Sequence, residues 1–99
     1  MVAINVKSSS GELEIVKGLL REGINEEKRK IDFAISVTAN KIEKYEAKYG
    51  MSTAFFIEKF KKGEIKENDE TFEWWAETKL AGELAEKLKA LKDIEICQQ

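Results

Sequence analysis

Apolar residues recur along this chain at two different periods, and the change of period marks the elements. Val2, Ile4 and Val6 alternate with small or polar residues, the two-residue period of a short strand, and Ser8, Ser9 and Ser10 then interrupt it. From Leu13 onward the steps become threes and fours with a single seven: Leu13, Val16, Leu20, Ile24, Ile31, Ile35, Thr38, Ile42, Tyr45 and Tyr49. Ser9 with Glu12 has the spacing of a capping box, so a long helix is expected over about residues 11–49. Its phase survives Gly23-Ile24-Asn25, where a helix-turn-helix break would reset it. One helix, with a bend allowed near Gly23, is therefore expected in preference to two. Gly18 and Gly23 each cost about 1 kcal/mol relative to Ala, which packing has to offset. Such a helix is about 55–60 Å long, more than a small core covers, and its heptad-like seam predicts a homodimer of coiled-coil type.

Gly50 stops the long helix because it adopts the left-handed conformation without a Cβ clash. Ser52 then caps a short helix over about residues 53–62, with Phe56 and Phe60 on one face and Phe55 on another, and Gly63 ends it. Asn68 or Asp69 caps a last helix over about residues 69–92, expected to pack back on the first as a helical hairpin. Rotation of about 100° per residue places Ala76, Leu80, Leu84, Leu88, Leu91 and Ile94 along one stripe. It also sends Trp75 roughly opposite that stripe and Trp74 about a quarter-turn from its centre. The two indoles cannot share one neighbour, so this end of the molecule is expected to be covered on two flanks, on one by the short helix with Phe56 and Phe60. Candidates for the second covering are the long helix near Tyr45 and Tyr49, a second copy, or another protein. Ile94, Glu95, Ile96 and Cys97 alternate, which suits an extension of the last helix, pairing with Val2–Val6, or strand addition to another protein; a frayed end is the expectation favoured here.

With 99 residues the chain is expected to form a single helical domain, an all-α fold in which short terminal strands are an option. Charged residues make up 36% and no wholly apolar run is longer than that of Ala54–Ile57, so neither a membrane span nor a secretory signal is expected, and the cytoplasm is the default location. The net charge of -2 divides into nine basic and eight acidic side chains in residues 1–50 and eight and eleven in 51–99, and neither half looks like a DNA-binding surface. The one basic triplet, Lys28-Arg29-Lys30, is flanked by Glu26, Glu27 and Asp32. A ribbon-helix-helix arrangement, with Ala3, Asn5 and Lys7 in the major groove, would need the break that the unbroken phase argues against.

Candidate chemistry is thin. The chain has no His, and Ser8–Ser10 has no base to activate a hydroxyl, so no enzyme is expected. Glu70, Glu73 and Glu77 share a helix face but lack the Glu-x-x-His unit of carboxylate-bridged dimetal bundles. No metal and no cofactor are expected, and these glutamates read as an acidic helix start favoured by the helix dipole. Cys97, single in the chain, reads as a passive tail thiol.

The run from Lys48 to Trp75 reads K-Y-G-M-S-x-x-x-F, then K-F-x-x-G-E, then D-E-x-F-E-W-W. It resembles small prokaryotic antitoxin-like proteins of toxin-antitoxin modules, and the likeness covers most of the chain from Ile24 to Leu91. The resemblance implies a protein-binding regulator that covers a partner toxin's active surface stoichiometrically. Phe55, Phe72, Trp74 and Trp75 are the partner-binding residues expected, since aromatic anchors dominate interface energetics. Two alternatives stay open: a self-assembling dimeric helical protein, and a DNA-binding repressor acting through the N-terminal segment.

Overall fold

The computed structural model describes residues 1–7 and 11–98, with side chains as far as residue 96. The elements follow in the order β1 (Val2–Val6), α1 (Leu13–Tyr49), α2 (Thr53–Lys61), α3 (Asp69–Lys92) and β2 (Ile94–Gln98). Three helices thus make up most of the chain, as the hydrophobic periods require, and α1 runs unbroken through Gly23, Ile24 and Asn25.

The helix ends show why the chain turns where it does. α1 starts at Leu13, two residues later than expected, because Gly11 has φ +78° and cannot join a right-handed helix. The Glu12 carbonyl accepts the first helical bond, from Val16 N–H at 3.1 Å; Ser9, the other half of the expected capping box, lies outside the described residues. At the far end Gly50 takes φ +63° and donates to the Glu46 carbonyl. Ser52 Oγ then accepts from Phe55 N–H, which starts α2. α2 closes with two bonds, Glu64 N–H to Lys59 O and Gly63 N–H to Phe60 O, around a left-handed Gly63. For α3 the cap is Asn68: its Oδ1 accepts from Thr71 N–H while Thr71 Oγ1 accepts from Asn68 N–H, both at 2.9 Å. Thr71 therefore does here what Glu or Gln does in the usual capping box.

The chain forms two compact units, one of Met1–Phe33 with Glu86–Gln99, the other Ala34–Ala85. In the Ala34–Ala85 unit α1 and α3 run antiparallel, since Lys41 pairs with Glu77, Tyr45 lies against Trp74 and Lys48 pairs with Glu70. This is the expected helical hairpin, with α2 at its turn. Glu70, Glu73 and Glu77 face Lys48 and Lys41 of α1, so ion pairs across the hairpin account for their shared face. Thr38, placed on the apolar stripe of α1 by its spacing, is buried, and its hydroxyl donates to the Ile35 carbonyl.

In the other unit β1 and β2 pair in parallel, Val2 opposite Ile94 and Ile4 opposite Ile96, and Val2 N–H donates to Asp93 O at 2.8 Å. The C-terminal segment is therefore a strand and not the frayed end expected. β1 supplies a full ladder for its backbone, and Ile94 and Ile96 line a groove with Ile24 of α1. Val6 is buried, and of Cys97 the structure describes only its backbone place opposite Asn5.

Two stripe positions need correction. Leu80 is 42% exposed, whereas the covered side of α3 reads Thr71, Trp74, Ala81, Leu84, Leu88 and Leu91. The large, wholly buried Trp74 sets the rotation of the helix, and Ala81, two turns beyond it, takes the place expected for Leu80. On α1, Leu20 is likewise exposed, while Lys17 is only 8% exposed, its long apolar stem covered and its ammonium 3.8 Å from Glu14.

Candidate functional site

The Ala34–Ala85 unit holds most of the chain's aromatic side chains, and α3 divides them between two flanks. Trp74 and Trp75 are adjacent in sequence, so the helix turns them about 100° apart; the structure gives them different surroundings, but α2 reaches both, Phe56 against Trp74 and Phe60 against Trp75, which corrects the expectation that they share no neighbour.

Trp74 is 0% exposed. Its ring stacks on Phe56 of α2, centroids 3.8 Å apart and planes 2° apart, and lies 5.9 Å from Tyr45 and 5.7 Å from Tyr49 of α1. The indole N–H donates to Thr53 Oγ1 at 3.1 Å, and the Thr53 hydroxyl donates in turn to Glu46 Oε2 at 2.9 Å. The same carboxylate oxygen accepts from Thr53 N–H at 2.8 Å. One carboxylate of α1 thus fixes the first residue of α2 and, through it, the indole of α3, so the only polar atom of Trp74 keeps its partner on burial. Thr53 and Glu46 were not singled out in the sequence. Their signal is faint, a Thr directly after a Ser cap and a Glu seven residues earlier across a glycine turn.

The electrostatics beside this core are set by the acidic start of α3. Partial burial, then the Glu73 carboxylate beside its hydroxyl and the charges of Glu70 and Glu77, push the Tyr45 phenol up to about 12. Lys48 Nζ reaches both oxygens of Glu70, which holds the Glu70 carboxyl below the usual carboxylate range and raises the Lys48 ammonium above its own.

Trp75 lies on the other flank. It is partly covered by Phe60 at 6.4 Å and Phe72 at 5.5 Å, with the Lys79 ammonium 5.3 Å above its ring. Phe72 itself is 50% exposed and Phe55 48% exposed. Phe60, Trp75 and Phe72 form a continuous aromatic ridge from α2 onto the outer side of α3. Beside Phe72 opens a groove lined by Glu67, Asn68, Asp69, Glu73 and Ala76.

Of the four residues expected to face a partner, Phe72 and Trp75 are thus brought together. Phe55 is exposed elsewhere on α2, under the Lys59 ammonium. Trp74 is the centre of the unit's own core and offers no surface, because α1, α2 and its hydrogen bond to Thr53 enclose it. The outer ridge has the composition of an interface anchor, large rigid rings with a polar rim. Among the described residues no helix is long and apolar enough to cross a membrane. No protein-family model matches the chain, and no curated protein or solved structure matches it.

Proposed function

We propose that the protein is an antitoxin-like regulator in the cytoplasm that binds a partner toxin stoichiometrically and blocks its substrate without any turnover. The observation that carries this reading is the half-exposed Phe72 beside Trp75, on the flank of α3 away from a core that is already filled. A small unit gains about 1.5–3 kcal/mol by fully burying one aromatic side chain. Leaving Phe72 in water while Trp74 is enclosed suits a ring whose burial comes with complex formation. The sequence resemblance from Ile24 to Leu91 supports the same class.

Co-expression with the product of the adjacent gene tests it. The expected outcome is a one-to-one or two-to-two complex that survives purification; recovery of the two proteins separately overturns the reading. A second reading, self-assembly through α1, is favoured by Ile15 and Leu19, exposed one turn apart on that helix. The co-expression distinguishes the two, since self-assembly predicts a stable dimer of the pure protein and no complex with the neighbouring product.

A further inference from the structure

Other aromatic rings of the Ala34–Ala85 unit, the exposed Phe55 and the partly covered Tyr49 and Trp75, carry cations from the chain itself. Lys48 lies over Tyr49 at 5.9 Å, Lys59 over Phe55 at 5.5 Å and Lys79 over Trp75 at 5.3 Å. Phe72 differs: among the described residues no lysine or arginine lies over its ring, although it is half exposed and stands among carboxylates. Glu67 and Asp69 beside it also form no ion pair with a described residue, and Glu73 only a loose one, 4.0 Å from Lys41.

An acidic stretch at a helix start is ordinarily explained by the helix end, whose free N–H groups attract negative charge. Here the start of α3 is capped by Asn68 and Thr71 with each other, and Phe72 N–H donates to the Asn68 carbonyl. Glu67 and Asp69 are left out of those bonds. Two full negative charges also outweigh the roughly half-unit positive charge of a helix end. The ridge therefore ends in a π face bordered by unpaired carboxylates, the complement of a guanidinium, which stacks on a ring and bonds carboxylates in the same plane.

We infer that the Phe72 groove is a docking site for an arginine side chain on a basic surface of the protein partner. This rests on the protein-binding reading above and names the chemistry of its site. The carboxylates replace on that surface the negative charge its arginines would otherwise hold, and Phe72 supplies the desolvated contact.

The test uses the full chain, labelled with ¹⁵N, titrated with hexa-arginine and, separately, hexa-lysine. Hexa-arginine is expected to shift the Phe72 amide and the Trp75 indole N–H signals and to bind more tightly than hexa-lysine of equal charge. Phe72→Ala and the double variant Glu67→Gln with Asp69→Asn are each expected to weaken binding about tenfold or more, the size of one charge-assisted hydrogen bond. A control pair on exposed positions of α3, Glu83→Gln with Glu86→Gln, keeps wild-type affinity. Shifts spread over the whole acidic surface, equal binding of the two peptides, or equal losses in the control variant overturn the inference. Binding at Phe72 without any toxin complex leaves the site standing and removes the antitoxin reading. A toxin complex that forms equally well with Phe72→Ala removes the site and leaves the antitoxin reading standing.

Discussion

The two compact units hold themselves together by different means. In residues 34–85 the core is one indole enclosed by three aromatic rings and fixed by a hydrogen-bond chain through Thr53 to Glu46. In the unit of Met1–Phe33 with Glu86–Gln99 the centre is a two-stranded parallel sheet, with Val6 and Ile31 as its buried apolar residues. A sheet of two strands is marginal by itself, and parallel pairing is slightly weaker per residue than antiparallel. The comparison teaches that helix content does not decide the kind of core, since α1 and α3 contribute residues to both units, and it leads to the expectation that residues 34–85 are the harder to unfold.

The sharpest way to break the contrast is Trp74→Ala, expected to cost about 3–5 kcal/mol, as large core truncations do. Urea denaturation measures it, and a loss below about 2 kcal/mol would mean that the aromatic cluster is not what holds residues 34–85. Thr53→Val is expected to cost about 1–3 kcal/mol, because it leaves the buried indole N–H without its acceptor, while Glu46 keeps only its bond from the residue 53 N–H. The same denaturation curves report it, and Glu46→Gln, which still accepts a hydrogen bond, should cost less. In the strand-bearing unit, Val6→Ala is expected to cost about 1.5 kcal/mol, from about 0.8 for each buried methyl lost. Hydrogen exchange at the β1 amides should accelerate while the Trp74 indole stays protected.

A smaller effect depends on pH. The Tyr45 phenol is raised from 10 to about 12, so the fold prefers its neutral form. The stabilisation is complete below about pH 10 and is lost as pH rises from there toward 12. Tyr45→Phe should flatten that alkaline decline when thermal melting is followed between pH 9 and 12. The Lys48–Glu70 pair is solvent-exposed and contributes little to the same curve. The least effect is expected from Phe72→Ala, within about 0.5 kcal/mol, since exposed positions seldom matter to the free protein. Acrylamide should in turn quench Trp75 and spare Trp74.

Much of the fold was legible in the residues. Gly50 and Gly63 stop helices because only glycine takes a positive φ without strain, and the divergence of Trp74 and Trp75 follows from helix geometry alone. The phase of α3 was less so: a stripe drawn through leucines misplaces Leu80, because a single buried indole outweighs several aliphatic side chains in setting rotation. The β1–β2 pairing was one option among three, for a short alternating segment does not name its partner. At the candidate site the separate directions of Phe55 and Trp75 followed from the helix arithmetic, whereas the exposure of Phe72, four residues before Ala76 on the expected stripe, and the burial of Trp74 did not, because Thr53 and Glu46 meet that indole only after the chain has turned twice.

The parallel ladder has a consequence for the order of assembly. β1 emerges from the ribosome before all three helices, and its partner β2 follows them, so the first strand waits unpaired while the intervening chain is made. Residues 34–85 find every contact of the indole cluster within one uninterrupted stretch, where loop closure is short. The aromatic hairpin is thereby expected to form first and the two strands to zip up last, as a latch on a structure already made.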